Sequence, residues 1–387
     1  MFAIGWGANQ FVSLIIAYRL HAAVSVGDSE MLVGVYALGL IPALLIGGPL
    51  ADRFGRSRVL RPSALVSLLA TAVLMAGGHS LAALVIGRLL AGVASGGAFA
   101  AGTAWVKELS GPPYDLSSAP GAGARRSAVF LSAGFGLGPV TAGLIAQWTP
   151  DPLVTAYLPH LVVILAVLPG LWRAPETVPA ASASSGSVLA RLSIPRAFDR
   201  RFVQVVAPVA PAVFTAATVS FAVMPTTVSP QLGGWKVAYS ALVAGLTLSV
   251  GIGIQPLARR IDPARGGGAL GSLLGLGALV VGLLIGSLAA GLGSRWLVLV
   301  AAPAFGAGYG LCLVCGLIEV QRIAAPDELA RLTALYYALT YLGFAAPVVL
   351  ADLATRVSYS GLLLAAAAVA GAVLVWVSRR AGKTAPA

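Results

Sequence analysis

Charge is what this chain lacks most. Only 10% of its 387 residues are Asp, Glu, Lys or Arg, against about a quarter in an ordinary soluble domain. So few charges cannot cover a soluble surface, which excludes a soluble enzyme. Acids are scarcer than bases, 13 against 25 Lys and Arg, and there are three histidines and two cysteines. A membrane-embedded enzyme or metal centre would want clustered acids, histidines or thiols. Here the acids all fall in loops or at the ends of apolar runs. Cys312 and Cys315 form a lone CxxC inside one apolar run, with no second pair, and read as small packing residues. No G-x-x-x-x-G-K-[ST] is present, so ATP-driven transport by this chain alone is disfavoured. Strict alternation is absent as well, which excludes an outer-membrane barrel. Nothing calls for a cofactor.

What is present is apolar. Hydrophobic residues make up 58% of the chain and the mean hydropathy is +0.91. Gly 47 and Pro 24 are frequent, and both are tolerated in membrane helices. A span needs ~20 mostly apolar residues. Twelve candidates are found, near 2–24, 32–51, 60–78, 81–105, 126–148, 155–173, 202–224, 237–258, 267–290, 296–319, 330–351 and 358–377. The expected fold is an all-α membrane protein of twelve transmembrane helices in two pseudo-symmetric six-helix bundles. The first span begins almost at Met1 with no basic stretch before it, so it is expected to stay in the membrane.

The net charge of +12 reads as basic loops beside an anionic leaflet, not as a nucleic-acid surface. Arg53, Arg56, Arg58 and Arg61 follow span 2, and Lys107, Arg125 and Arg126 follow span 4. Arg173, Arg191, Arg196, Arg200 and Arg201 lie between spans 6 and 7. Arg259, Arg260, Arg265, Arg322, Arg331, Arg379, Arg380 and Lys383 complete that side. The alternate connections hold only Arg19, Lys236, Arg295 and Arg356. Short loops rich in Lys and Arg stay inside, so both termini are expected in the cytoplasm.

The longest connection, 174–201, contains APETVPAASASSGSVLARLSIP and reads as a cytoplasmic linker with a short amphipathic helix. It divides the chain into N-terminal (1–173) and C-terminal (202–387) halves. PLADRFGRSR at 49–58 aligns with PLARRIDPAR at 256–265, and at the same offset Arg88 meets Arg295. Pro139 falls one residue from the counterpart of Pro347. These matches point to a duplicated six-helix unit, a common transporter plan with substrate bound between the repeats.

The loop after span 2 reads GGPLADRFGRSRVLR. It resembles the signature loop of the major facilitator superfamily, G-x-x-x-D-R-x-G-R-R, at Gly48, Asp52, Arg53, Gly55 and Arg56, with Ser57 and Arg58 replacing the strict basic pair. Span 4, GRLLAGVASGGAFAAG, resembles the family's second motif, with Arg88 in the membrane. Span 5, GFGLGPVTAG, resembles its antiporter motif at Gly134, Gly138, Pro139 and Gly143, with Ala142 in place of a glycine. APET at 174–177 ends span 6 as is common in the family. The opening GWGANQF is similar to that of actinobacterial drug-exporter-like members. The resemblance covers essentially the whole chain. It implies twelve helices, two six-helix domains, alternating access and proton coupling, and the chain is expected not to be an enzyme.

Several side chains are then candidates. Asp52 is placed by the resemblance against the start of span 11, where an acid stabilises a helix N-terminus. Arg56 or Arg53 is expected to pair with Glu108, latching the halves; the bland alternative is a plain positive-inside loop. The span 5 glycines read as a hinge or packing element. Asn9 and Gln10 on span 1 divide between cavity lining and inter-helix hydrogen bonds. Tyr336, Tyr337 and Tyr341 on span 11 are candidates for an amphipathic cavity wall, and His160 is expected near the outer interface. Arg19 and Arg88 should face protein or water and not lipid. With no acid in the apolar middle of any span, they point to a neutral or anionic small-molecule substrate. Any proton coupling would then run through Asp52, an outer-mouth acid or the substrate. The leading function is a monomeric, proton-coupled exporter in the cytoplasmic membrane, contacting only lipid, substrate and protons. The rivals are an importer of a small metabolite and, from another class, a membrane-embedded enzyme.

Overall fold

The computed structural model describes residues 1–119, 122–178, 195–261, 269–325 and 328–381. Among these the chain is helical, in twelve long segments numbered here in chain order. They are α1 (Phe2–His21), α2 (Val26–Phe54), α3 (Arg56–Ala76), α4 (Leu81–Leu109), α5 (Ala122–Trp148) and α6 (Pro152–Arg173). The second set is α7 (Phe202–Thr227), α8 (Ser229–Ala258), α9 (Ala269–Leu292), α10 (Arg295–Ile323), α11 (Arg331–Leu353) and α12 (Tyr359–Ala381). Eleven of them are long and apolar enough to cross a membrane; α1 is the exception. Its length suffices, at 20 residues, but Asn9, Gln10 and Arg19 lower its hydropathy. Exposed Leu38, Val162 and Val369, each about two-thirds accessible on these helices, form the surface that a lipid solvent accepts.

Local chemistry sets the boundaries. Gly55 separates α2 from α3 with φ at 112°, a region that disfavours side chains. Ser80 and Ser294 cap α4 and α10, accepting from the backbone N–H groups of Ala83 and Leu297. Several segments are irregular inside: α6 is interrupted at Ala156–Tyr157, and α8 opens with a 3₁₀ stretch, Ser229–Trp235, that kinks at Gly233. α7 carries π-turns at Phe202–Val206 and Val219–Val223, and α11 tightens to a 3₁₀ turn at Leu342–Phe344. Such turns are held only where neighbouring protein satisfies the freed backbone groups.

The chain forms two compact units, Met1–Val24 with Val35–Ser193, and Ser25–Gly34 with Ile194–Ala387. The linker residues 179–194 and the end of the second PLARR segment, 262–265, lie outside the described residues.

In each unit, glycines let helix backbones meet. In the first, a Cβ at Gly92 or Gly96 of α4 would lie 2.1 or 2.4 Å from the carbonyls of Tyr36 and Leu40 of α2. In the second, a Cβ at Gly306 or Gly310 of α10 would lie 2.4 or 2.1 Å from the carbonyls of Thr247 and Gly251 of α8. The glycine pairs and the two serine caps are each 214 positions apart, whereas the carbonyls that those glycines approach, Tyr36 and Leu40 on α2 and Thr247 and Gly251 on α8, are 211 apart. The repeat therefore changes offset between α8 and α10. Arg88 corresponds to Ala302 and not to Arg295, which opens its helix. The single-offset alignment of those two arginines is corrected accordingly.

Candidate functional site

The loop between α2 and α3 is an ion cluster. The Arg56 guanidinium donates to Glu108 at the end of α4, with Nη2 and Nε 3.0 and 3.1 Å from Oε1. Its Nη1 also donates to Asp52, one turn earlier on α2. Arg53 instead lies over the Phe54 ring, 5.2 Å from its centroid. Asp52 is thus engaged within its own unit. Gly48 has open space where a Cβ would point, and Gly55 does not, since a Cβ there would meet the Glu176 carboxylate at 2.5 Å.

Glu176, in the APET segment after α6, is the residue that the sequence reading did not single out. Its carboxylate caps α3, accepting from the N–H groups of Arg56 and Ser57 (both 2.9 Å) and from the Ser57 hydroxyl (2.6 Å). It also accepts from its own following turn, Thr177 and Val178. Partial burial by itself would raise its pKa; the Ser57 hydroxyl and the N–H groups of Val178, Ser57 and Arg56 outweigh this and hold it at about 2. The rest of the segment is equally tied. Thr177 donates to Glu108, Trp105 Nε1 to the Pro175 carbonyl (2.9 Å), and Arg61 Nη2 to the carbonyls of Trp172 and Ala174 (2.9 and 3.0 Å). The signal in the sequence was the APET segment, which puts an acid directly after a span.

The α5 motif is a packing seam. A Cβ at Gly134 would lie 2.2 Å from the Phe2 carbonyl and one at Gly138 2.8 Å from that of Trp6, so α1 and α5 touch backbone to backbone. Pro139, inside α5, leaves its carbonyl to accept from Ser13 at 2.5 Å. Gly143 is buried. Asn9 is half-buried, with its amide 3.5 Å from the Phe135 carbonyl.

Gln10 is fully buried and starts a chain of hydrogen bonds. Its Nε2 donates to Thr71 (3.3 Å), and Thr71 lies 2.8 Å from His160 Nδ1. His160 Nε2 lies 3.1 Å from the Ala3 carbonyl. That carbonyl can only accept, so Nε2 carries the proton and Thr71 donates to Nδ1. His160 is fully buried within the first unit. Gly7 makes the space for its ring, since a Cβ there would meet Nε2 at 2.7 Å.

Arg88 is fully buried between the rings of Phe11 and Tyr36, 4.5 and 4.6 Å from their centroids. This cation–π sandwich joins α1, α2 and α4. Tyr18 and Tyr157, whose hydroxyls are 2.8 Å apart, lie within electrostatic range. Arg19 is half-buried near the end of α1. In the second unit, Tyr336 is buried and donates to the Cys312 carbonyl at 2.8 Å, so it joins α10 to α11. Tyr341 is stacked on Phe214 at 4.5 Å. Tyr337 is half-buried. Sequence proximity grouped these tyrosines as one wall; the helix turns two of them into packing contacts.

Comparison with known proteins agrees with this architecture. The chain is similar to a nucleoside transporter, NupG, at a TM-score of 0.77 with 10% identity, over 98% of this chain and 96% of that one. A POT family transporter solved with 5-aminolevulinic acid gives 0.76 with 14% identity, over 100% and 96%. A D-xylose-proton symporter gives 0.67 with 18% identity, over 99% and 96%. In sequence, 78 residues are 42% identical to the 3-(3-hydroxy-phenyl)propionate transporter of Escherichia coli (strain K12), a stretch that spans 20% of this chain and 19% of that relative. The profile of the Major Facilitator Superfamily matches residues 1–347, and the chain, a multi-pass membrane protein and a transporter rather than an enzyme, belongs to that superfamily.

Proposed function

We propose that this chain is a secondary active transporter that moves a small neutral or anionic organic molecule across the cytoplasmic membrane by alternating access of two six-helix halves. Both termini are cytoplasmic in this reading, and the molecule works as a monomer. The observation that carries the substrate class is Arg88. It is a fully buried cation held between aromatic faces, and charge inside a membrane domain is costly enough to mark function. A lipophilic cation would meet its positive potential. The signature-loop cluster of Asp52, Arg56 and Glu108 serves as the gate element, and Glu176 fixes the start of α3 beside it.

Proton-coupled export is the first reading of direction, supported by the α1–α5 seam at Gly134 and Gly138, where an antiporter-like motif lies. Resemblance to drug-exporter-like members points the same way. Uptake is the second reading. It stands beside export because the stretch similar to a hydroxyphenylpropionate transporter bears on substrate and not on direction, and that relative's substrate, an aromatic carboxylate, would suit the same cationic interior.

Reconstitution into proteoliposomes tests both. Aromatic acids, nucleosides, peptides and sugars are offered under imposed pH and voltage gradients, with cationic dyes as the contrast. Neutral or anionic compounds should move and respond to the pH gradient, and its polarity reports direction. Arg88→Ala, with membrane abundance checked, should lose that transport. If a cationic dye is the best substrate and Arg88→Ala carries it at the wild-type rate, the proposal is wrong. Asp52→Asn should slow transport while insertion stays normal; full rates in that variant would remove the gate role.

A further inference from the structure

We infer that the groove beside the end of α12 binds the headgroup of an anionic phospholipid. The groove has a volume of about 570 Å³ and is lined by Gly371, Ala372, Val375, Trp376, Arg379 and Arg380. Its polarity runs along the helix. Gly371, Ala372 and Val375 form an apolar floor on the deeper turns, and two guanidinium groups stand at the helix end. A lipid has the same order, acyl chain inward and phosphate at the boundary. A free anion would use only the charged end.

The charged end is preorganised. The Trp376 indole donates to the Gln204 carbonyl of α7 at 3.2 Å, which orients its ring. Arg380 sits over that ring, 4.8 Å from the centroid. Trp at this level is a usual interfacial anchor. Arg201 at the start of α7 donates to the Ala381 carbonyl at 3.3 Å, tying the ends of α7 and α12 together. Arg200 is exposed beside it. The acids of this region are already engaged. Glu319 accepts from Arg201 at 2.5 Å and from Arg322 at 3.2 Å. Asp199 accepts from the N–H groups of Arg201 and Phe202. Among the described residues no acid lines the groove, so its field is positive, and a net-negative headgroup is favoured over a zwitterionic one. Nothing in the transport reading is required for this site.

The test uses the full-length protein purified in mild detergent and offered equal dioleoylphosphatidylglycerol and dioleoylphosphatidylcholine, with bound lipids counted by native mass spectrometry. The wild type should retain phosphatidylglycerol about tenfold over phosphatidylcholine, as expected for two arginines near a headgroup. The double variant Arg379→Gln, Arg380→Gln should lose that preference while its size-exclusion profile stays unchanged. Trp376→Phe, which keeps the ring and removes the bond to Gln204, should weaken the preference. Arg260→Gln, an exposed cation elsewhere in the second unit, should leave it intact. The inference is overturned if the double variant keeps the preference or Arg260→Gln lowers it equally. It is also overturned if millimolar inorganic phosphate displaces the lipid completely, which would make the groove a free-anion site.

Discussion

Glu176 carries more of the signature-loop geometry than any residue of the motif itself. The motif supplies Asp52, Arg56 and the turn at Gly55, while Glu176 caps the helix that begins there. Its carboxyl is held at about 2, against an ordinary 4.5. A depressed acid contributes stability in full above the unfolded value and loses it as pH falls through the folded one. Glu176→Gln should therefore lower the thermal unfolding midpoint at pH 7, and the gap to wild type should close between about 4.5 and 2. A gap that does not change with pH would assign the effect to shape and not to charge. Arg56→Ala leaves Glu108, a partly buried acid, without its fork of donors. The cost should be about 1–2 kcal/mol, between an exposed pair and a buried one. Arg56→Lys should recover only part of it, because an ammonium lacks the planar fork. Thermal unfolding of the three proteins in detergent checks this.

At the scale of the element, the seams matter more than the helices. In a bilayer the hydrophobic effect does not press helices together, so close backbone approach supplies the contact. The α1–α5 seam makes a sharp contrast within one helix. Gly134→Ala places a methyl group 2.2 Å from the Phe2 carbonyl, a backbone atom that cannot step aside, whereas a Cβ at Gly136 meets nothing within 4 Å. Gly134→Ala should lower the unfolding midpoint and the yield of monodisperse protein. Gly136→Ala should leave both near wild type. Equal behaviour of the two would mean that α1 and α5 do not touch as described. The second unit has its own seam at Gly343 of α11, whose Cβ would lie 2.4 and 2.5 Å from the Thr215 nitrogen and the Pro211 carbonyl of α7. The same helix pairs, first with fifth and seventh with eleventh, therefore meet in both units.

For the whole molecule, the prediction is topology. Charge bias puts the α4–α5 connection inside and the α11–α12 connection outside. Both native cysteines are buried, so the background for thiol labelling is low. An impermeant reagent added to intact cells should label Ser358→Cys, between α11 and α12, and should label Ser117→Cys, between α4 and α5, only after permeabilisation. The reverse pattern would invert the chain and the sidedness of the gate with it.

Composition, run length and loop charge determined the class, because the cost of burying a backbone in lipid leaves long apolar helices as nearly the only solution for such a chain. Eleven helices met that expectation. The signature loop was legible for the same kind of reason, since Gly55 and the acid–base pattern around it are local, and Arg56 met Glu108 across a short helix pair. What only the tertiary structure decided is which polar side chains face each other across helices. Arg88 ended between Phe11 and Tyr36, His160 against Thr71 and Ala3, and Tyr336 on a backbone carbonyl of α10. Each outcome depends on helix rotation and approach, and every face of these helices is apolar enough that periodicity does not set rotation. The register of the repeat was hidden for a related reason. A shift of three positions between α8 and α10 leaves every helix intact, so only the caps and glycine contacts, formed in three dimensions, reveal which residues correspond.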